Sequence, residues 1–413
     1  MEVKYARCAG IDVHKKNVVV CAIVTGADGQ ALKVKRSFGT MSEELQELSG
    51  WLSEYGITTV AIESTGVYWK GVYNLLDGQF ELLVVNPEHI KKLAGRKTDV
   101  ADAVWIADLL RHGLLRGSFI PSALLRQLRD LTRYRTRLGD ERTSEVNRLQ
   151  KVLEDANIKI ASVMSDVTSM SGRAILAQLI DGQTDPARLA ELAQGRLRKK
   201  QALLQKALVG SIKDHHRFML AQHLSHIDYL EEAIERLDKE IQDQIAPFEA
   251  QLAVWDSLPG IGRRIAEIIV AEIGADLKPF EDAAHLASWA GMCPGNHESA
   301  GKRRNGKTRK GSKWLRRALI EAAHGAAHTK HSYFQAQYYR LVARRDKQRA
   351  AIAVGHALLI TGYYLITRQQ SYQDLGNTYF DERNREAVKR RAVRKLEQLG
   401  FHVQITPAPP LAA

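Results

Sequence analysis

Cysteine is scarce in this chain, which excludes two common ways of stabilising a fold. Only three cysteines occur in 413 residues, Cys8, Cys21 and Cys293. Their spacing pairs none of them, so neither a disulfide framework nor a cysteine-ligated zinc site is expected. Such usage is typical of a protein in a reducing compartment.

Long apolar runs are lacking as well. The N-terminal residues are interrupted by Asp12, His14 and two lysines, so we expect no signal peptide. The longest apolar stretch, residues 351–366, contains His356 and is too short to predict a membrane span. These absences predict a soluble cytoplasmic protein without a membrane partner.

Acidic residues are fewer than basic residues. The chain has 60 Lys and Arg against 47 Asp and Glu, a net charge of +13. An ordinary solvated surface would explain such a balance, but the cations are clustered, which favours a polyanion such as nucleic acid as partner.

The acids that are present follow a pattern of their own in the first quarter of the chain. Asp12 ends the apolar run 7–12, Glu63 closes the run 58–62, and Asp99 and Asp102 lie three residues apart on one face of a predicted helix. Any one of them alone is ordinarily a strand-end or helix-start residue. Together they are typical of a divalent-metal site that acts on phosphodiesters, since clustered carboxylates are tolerated around cations.

Four regions are predicted. Residues 1–118 alternate strands, near 6–13, 17–25, 31–38, 58–63 and 81–86, with helices, which is the pattern of an RNase H-like α/β fold. Residues 119–250 are helical, 251–340 combine short helices with glycines and a basic loop, and 341–413 form a basic helical extension. The fold class is therefore multidomain, α/β followed by α.

The central region carries an apolar seam with a period near 3.5 residues. Its members recur at steps of three and four: Leu220, Leu224, Ile227, Leu230, Ile234, Leu237, Ile241 and Ile245. Such a seam predicts a coiled coil. An antiparallel helical hairpin and a dimerising coil both fit it.

Two segments further on are typical of phosphate contact. The turn 257–262 contains Gly260 and Gly262 and leads into Arg263 and Arg264, the pattern of a helix-hairpin-helix motif that grips the DNA backbone. The alternative is a plain corner between two helices, where glycine is needed for its backbone conformation.

The second segment is the loop around Ser299 and the basic run behind it. Residues 302–317 hold nine Lys and Arg and no acid, and Ser299 at its leading edge could attack phosphorus, although serine is more often a turn residue. An arginine stripe on an earlier helix fits nucleic-acid contact and solvent exposure equally. The basic residues singled out are Lys302, Arg303, Arg304, Lys307, Arg309, Lys310 and Lys313, and on the stripe Arg126, Arg129, Arg133 and Arg137.

These motifs together resemble the DEDD transposases of the 110 family of bacterial insertion sequences, relatives of the Piv site-specific invertase. The resemblance runs in order to about residue 366 and is carried by GIDVHK at 10–15, IESTGVY at 62–68, RKTDVADA at 96–103, LPGIG at 258–262, PGNHESAGKRR at 294–304 and KWLRRAL at 313–319.

The resemblance implies a RuvC-like catalytic domain in which Asp12, Glu63, Asp99 and Asp102 bind Mg²⁺ (or Mn²⁺). It implies that Ser299 forms a phosphoserine intermediate with DNA, and that the coiled coil assembles dimers and tetramers. It also implies two nucleic-acid partners, the double-stranded DNA of element ends and target, and a bridge RNA that guides both, with the nucleoid of a bacterial cytoplasm as location.

Two other functions remain open from the residues. A RuvC-like endonuclease for branched DNA, such as Holliday junctions, would use water and need no Ser299. A non-catalytic nucleic-acid-binding scaffold would use the acids structurally.

Overall fold

The chain divides into two compact units, residues 1–120 and 121–413. The computed structural model describes residues 2–27, 29–64, 66–87, 90, 102–294, 297–299, 302–305, 308 and 310–406, and of residues 297–299 and 302–305 it describes the backbone alone. The second unit contains the three regions that the sequence analysis separated after residue 118.

The first unit is built on a five-stranded mixed sheet. Its strands are β1 (Arg7–Val13), β2 (Asn17–Thr25), β3 (Ala31–Gly39), β4 (Thr59–Glu63) and β5 (Glu81–Val85). The order is β3-β2-β1-β4-β5, with β1, β2 and β3 antiparallel and β1, β4 and β5 parallel. The predicted mixed sheet is confirmed, and each strand lies within about a residue of its predicted position.

Helices cover both faces of this sheet. The helix α1 (Ser42–Glu54) and the helix α2 (Trp69–Leu76) pack on the face that carries Ile11 and Ile62. The helix α3 (Asp102–Arg111) packs on the opposite face, which carries Cys8 and Ala61. Because strand side chains alternate between faces, neighbouring residues of β1 contribute to two different cores.

The second unit is dominated by two long helices, α4 (Ala123–Asp155) and, after three short helices, α8 (Asp214–Ile245). Contacts between them run in opposite directions along the two helices: Arg135 binds Asp238, Glu145 binds His223, and Asp155 binds His216. The helices are therefore antiparallel and form a hairpin within one chain.

The predicted seam is buried inside this hairpin. Leu220, Ile227, Ile234 and Ile241 follow one another at intervals of seven residues, and all four are buried. Each fully buried aliphatic side chain contributes roughly 1.5–3 kcal/mol. Of the two arrangements that fit the sequence, the structure has the intramolecular hairpin.

The end of the hairpin carries a small helical subdomain with a core of its own. Its helices are α5 (Met170–Ile180), α6 (Pro186–Glu191) and α7 (Gln201–Ala207). Ile175, Leu176 and Leu204 are fully buried among the last turns of α4 and the first turns of α8. This core fixes the tip of the hairpin.

The remaining elements follow the hairpin in the chain. They are α9 (Glu249–Asp256), α10 (Arg263–Ile273), α11 (Ala283–Trp289), α12 (Lys313–His328), α13 (Tyr333–Val342), α14 (Lys347–Arg368), α15 (Tyr379–Arg383) and α16 (Arg385–Gln398), with the short strands β6 (His297–Ser299) and β7 (Lys302–Asn305) before α12.

Helix α14 corrects one expectation from the sequence. With 22 residues it is long and apolar enough to cross a membrane by length and composition alone, although the apolar run inside it is shorter. Half of its most apolar window is buried within the protein. Gly355 lies against Leu319 of α12 and Gly362 against the ring of Trp255, so the helix serves as a core element of the second unit.

Candidate active site and nucleic-acid interface

Two of the predicted acids lie at the ends of neighbouring parallel strands. The register of β1 and β4 pairs Gly10 with Ala61 and Ile11 with Ile62. Asp12 and Glu63 are the next residues on each strand. Because the strands run in parallel, both acids lie at the same end of the sheet, where β1 and β4 finish.

Strand alternation also puts these two acids on one face. Cys8 and Asp12 share a face of β1, and Ala61 and Glu63 share a face of β4. Cys8 and Ala61 belong to the core that α3 covers. Asp12 and Glu63 therefore face the side of the sheet on which α3 lies.

Helix α3 brings the third acid to this place. It begins at Asp102 and packs directly on β1, because Gly10 has no side chain: a Cβ there would lie 2.3 Å from the backbone nitrogen of Ala107 and 2.4 Å from the carbonyl oxygen of Ala103. The close approach places Asp102 near enough for its charge to act on Asp12. Asp99, the fourth predicted acid, lies outside the described residues.

The electrostatics of Asp12 reflect this crowding. Burial raises the pKa of Asp12 above its usual value, a hydrogen bond and the charge of His14 lower it, and the negative charge of Asp102 raises it. The Asp12 side chain is 13% exposed, and its Oδ2 lies 3.1 Å from Nε2 of His14. The site thus concentrates negative charge in a partly desolvated place.

His14 is a residue of this site that sequence reasoning missed. It stands two positions after Asp12 and just beyond the end of β1, so its contact with Asp12 depends on how the chain turns there. The imidazole is half exposed beside the carboxylate. It can hold one oxygen of Asp12 in place.

The donor set fits a divalent cation. Asp12, Glu63 and Asp102 are all half-buried and offer the carboxylate oxygens that Mg²⁺ and Mn²⁺ prefer. A cation among them would offset the like-charge repulsion that Asp12 experiences.

A second group of possible ligands is explained without a metal. Asp155, His215 and His216 cluster at the start of α8. The backbone N–H of Lys213 donates to Nδ1 of His216 at 3.1 Å, and Nε2 of His216 lies 2.8 Å from Asp155. Both ring nitrogens of His216 are engaged, and the group holds the first turn of the helix.

The turn before α10 combines two differently placed glycines. Gly260 has a φ of +82°, and a Cβ there would lie 2.2 Å from the backbone of Ala322 and of Ala326 in α12. Packing against α12 and the positive φ therefore both require glycine at position 260, as is expected for a plain corner between two helices. Gly262 has a φ of −101° and open space around it, so neither packing nor conformation requires glycine there.

The two arginines after this turn are ion-paired within the chain. Arg263 contacts Glu249 and Glu267, and Arg264 contacts Asp238. Both remain exposed, at 42% and 63% of their side chains. Their guanidiniums lie at the surface beside the exposed Gly262.

The loop that carries Ser299 is closed at its base. Pro294 forms a bridge with Thr308, and Arg316 donates to the carbonyl of Gly291 and to the Thr308 hydroxyl, both at 2.5–2.6 Å. Between these points β6 and β7 pair antiparallel, with Ser299 opposite Lys302. The backbone thus sets Ser299 on a two-stranded loop rather than in the interior of a helix.

The basic run behind Ser299 is only partly described. The backbones of Lys302, Arg303 and Arg304 form β7, whereas Lys307 and Arg309 lie outside the described residues. Lys310 and Lys313 are exposed, and Nζ of Lys313 lies 5.0 Å from the centre of the Trp314 ring.

Three of the four arginines of the α4 stripe bind groups within the chain, whereas Arg137 is exposed and its guanidinium carbon lies 5.5 Å from the centre of the Trp314 ring. Arg129 donates to the backbone carbonyls of Ala271 and Glu272, and burial lowers its pKa to about 10 while Glu272 acts in the opposite direction. Arg133 makes a two-pronged bond to the fully buried Glu272 at 2.6 and 2.9 Å. Arg126 donates to the carbonyl of Pro121. These contacts join α4 to α10 because a buried carboxylate needs charged partners.

Two family models match the chain in the order that the motifs predict. A transposase model, DEDD_Tnp_IS110, matches residues 9–158, and the model of the transposase IS116/IS110/IS902 family matches residues 253–339. The first range includes all four predicted acids, and the second includes the Gly260 turn and Ser299.

Relatives of this chain include insertion-element proteins and gene-inverting proteins. It is 26% identical over 247 residues to the insertion element IS110 uncharacterized 43.6 kDa protein of Streptomyces coelicolor, a match that covers 55% of this chain and 60% of that protein. It is 22% identical over 379 residues to the pilin gene-inverting protein of Moraxella bovis, covering 88% and 96%.

Among solved structures, RuvC of Thermus thermophilus in complex with a Holliday junction substrate is similar to part of the chain. The identity is 15%, the match covers 27% of this chain and 99% of that chain, and the TM-score is 0.21. A score this low supports no conclusion about function.

Sheet, acids and matched ranges together define the class: a mixed-sheet domain followed by a largely helical region that includes a transposase domain. The chain belongs to the IS110/IS116/IS902 family of DEDD transposases, which are DNA-cleaving enzymes, and is homologous to the pilin gene-inverting proteins. The family resemblance carried by the motifs is confirmed.

Proposed function

We propose that this chain is a recombinase that cuts and rejoins DNA strands at a divalent-metal site, through a covalent bond between DNA and Ser299. The observation that carries the proposal is the meeting of Asp12, Glu63 and Asp102 on one face of the sheet. The family match supplies the class of substrate, which is DNA.

Asp12, Glu63, Asp99 and Asp102 would hold Mg²⁺ or Mn²⁺. Such a cation, when bound, offsets the charge of the scissile phosphate. The chain's own part is to fix the donors: α3 rests on Gly10 and so holds Asp102 over β1, and His14 restrains one oxygen of Asp12. These contacts orient the carboxylates before DNA arrives.

Ser299 would act as the nucleophile. Its Oγ forms a bond to phosphorus as the bond from phosphorus to a deoxyribose oxygen breaks, and the serine proton passes overall to the departing DNA hydroxyl. A second DNA hydroxyl reverses the exchange, so no water and no oxidant are consumed. The support is the position of Ser299 on a loop followed by nine cations in sixteen residues.

Assembly and guidance complete the proposal. Since the seam of the hairpin is buried within one chain, dimers and tetramers would form through other surfaces and bring the Ser299 loop to the acids of a second protomer. A bridge RNA would supply sequence recognition, which suits a protein with many cations for phosphates. The nucleoid of a bacterial cytoplasm is the proposed location.

The test is covalent trapping. With element-end DNA and Mg²⁺, a denaturing gel should show a protein–DNA adduct that Ser299→Ala abolishes while DNA binding persists. Ser162→Ala is the matched control, since that exposed serine lies outside the candidate sites and its hydroxyl donates to the carbonyl of Lys159. Asp12→Asn should abolish cleavage and adduct together.

Three outcomes would contradict parts of the proposal. An adduct that persists in Ser299→Ala excludes this nucleophile. Full cleavage in EDTA excludes the metal. Cleavage of branched DNA without any adduct favours the hydrolytic RuvC-like nuclease instead.

A further inference from the structure

Helix α16 is exposed along its whole length. Not one of its fourteen residues is buried, and it packs against the short preceding helix α15. Both lie beyond residue 339, where the second family match ends. The role of this extension therefore has to be found in its own chemistry.

Six cations of α16 have no partner among the described residues. They form no hydrogen bond, ion pair or ring contact with any residue that the structure describes: Arg385, Lys389, Arg390, Arg391, Arg394 and Lys395. By contrast, Arg133 and Arg135 of α4 and Arg263 and Arg264 of α10 are all paired with carboxylates. Within α16, then, all six cations are available to a ligand, unlike these four arginines.

The spacing of these cations destabilises the helix in isolation. Arg385 and Lys389, Arg390 and Arg394, and Arg391 and Lys395 are each four residues apart, so three like-charge pairs lie side by side. One opposite-charge pair, Glu386 and Arg390, has the same spacing and offsets only part of the repulsion. A helix of this length without packing is marginal in water. A polyanion laid along it would remove the repulsion and supply the missing contacts.

The helix is nonetheless attached firmly at its start. Arg340 of α13 binds Asp381 at 3.0 Å, and the ring of Tyr333 stacks on Phe380 with centres 4.9 Å apart. These contacts tie α15 to α13. Helix α16 therefore leaves the second unit from a fixed point.

We propose that α16 is a duplex-DNA-binding arm that contacts the phosphate backbone. At about 1.5 Å per residue it is roughly 21 Å long, and the major groove of B-DNA admits an α-helix whereas the narrow major groove of double-stranded RNA does not. The inference rests on the proposed function for its substrate, DNA, and assigns a surface that the transposase domains do not include.

The test compares the salt dependence of DNA binding in the full chain. The arm variant is R390Q/R391Q/R394Q, and the matched control is R188Q/R236Q/R349Q. The control removes three exposed arginines that already pair with Asp185, Glu232 and Asp346. Both variants lose three positive charges, and they differ in the position of those charges and in whether a carboxylate already pairs with them.

The expected result is a less steep dependence of log K on log salt in the arm variant. If each arginine contacts one phosphate, the slope falls by about 2.7, and the control changes by less than one unit. Hydrogen exchange of residues 385–398 should also slow when a random-sequence duplex is added to the wild-type chain, because the helix gains partners.

Equal slopes in the two variants would overturn the proposal. Tighter binding of the wild-type chain to phosphatidylserine vesicles than to duplex DNA would also overturn it, since the face with Val388, Leu396 and Leu399 is apolar. Self-association without DNA that the arm variant abolishes would overturn it as well. The adduct assay separates this proposal from the recombinase proposal: at saturating DNA in low salt the arm variant should still form the adduct. If the slope changes but the wild-type chain forms no adduct, only the recombinase proposal is contradicted.

Discussion

At the scale of single residues, Gly10 decides how close the acids come. It lies on the face of β1 that carries Asp12, and the backbone of α3 occupies the place of its missing side chain. A residue without chemistry of its own therefore sets the separation between Asp12 and Asp102. Its φ is not unusual, so the requirement is one of space.

Gly10→Ala should disable the site while leaving the fold recognisable. The added methyl group displaces α3, which costs about 1–3 kcal/mol of stability and moves Asp102 away from Asp12. We expect a loss of metal-dependent cleavage of at least tenfold, measured beside thermal unfolding. Gly50→Ala is the control, since a Cβ there meets nothing within 4 Å and alanine favours the helix α1. Wild-type cleavage by Gly10→Ala would show that this contact does not position the acids.

The sequence predicts part of this site and not the rest for a physical reason. Asp12 and Glu63 can be found because strand ends and alternation are local properties. Gly10 and the contact of His14 with Asp12 depend on which helix covers which strand and on how the chain turns after β1. That information is tertiary and does not show in the pattern of a single strand.

At the scale of elements, the sequence likewise predicts part of the arrangement of the long helices and not the rest. The seven-residue spacing of Leu220, Ile227, Ile234 and Ile241 predicts a coiled coil, but an apolar seam is equally well buried by a second copy or by the chain itself. The arginines of α4 were ambiguous because a helix with leucines on one side commonly faces solvent on the other. Here part of the other side packs on α10, whose buried Glu272 pairs with Arg129 and Arg133.

The hairpin of α4 and α8 should be acid-sensitive at Glu145. Burial acts to raise the pKa of this carboxyl, but hydrogen bonds from His223, Arg148 and His226 outweigh it and lower the pKa to about 2 from the usual 4.5. A depressed pKa in the folded state stabilises the fold above the unfolded-state pKa, and the stabilisation is lost as pH falls from about 4.5 to about 2.

Glu145→Gln should therefore remove up to about 3 kcal/mol at neutral pH and make the acid limb of the stability profile shallower. Urea unfolding between pH 2 and pH 7 measures both effects. Glu154→Gln on the same helix is the control, because that carboxylate is half exposed and pairs with Lys159 at the surface. Parallel pH profiles for wild type and Glu145→Gln would contradict the assignment.

At the scale of the whole molecule, charge and chemistry are divided between the two units. Residues 1–120 contain 14 Lys and Arg and 14 Asp and Glu, so the entire net charge of +13 belongs to residues 121–413. The unit with the candidate metal site attracts DNA no better than a neutral protein would, and its clustered acids repel phosphate locally. Attraction to DNA is the property of the second unit.

This division predicts that metal removal separates binding from cleavage. Because the cations that attract DNA lie in the second unit, EDTA should change the apparent Kd of the full chain for duplex DNA by less than about threefold, which is under 1 kcal/mol. Cleavage should stop, since the carboxylates alone repel the phosphate that they must act on. Anisotropy titrations with and without EDTA measure the first effect, and a gel assay of the same samples measures the second. Addition of Mg²⁺ should restore cleavage with little change in anisotropy.

If EDTA instead weakened binding by tenfold or more, the metal site would have to carry much of the DNA affinity, and the first unit would be a principal binding surface despite its zero net charge.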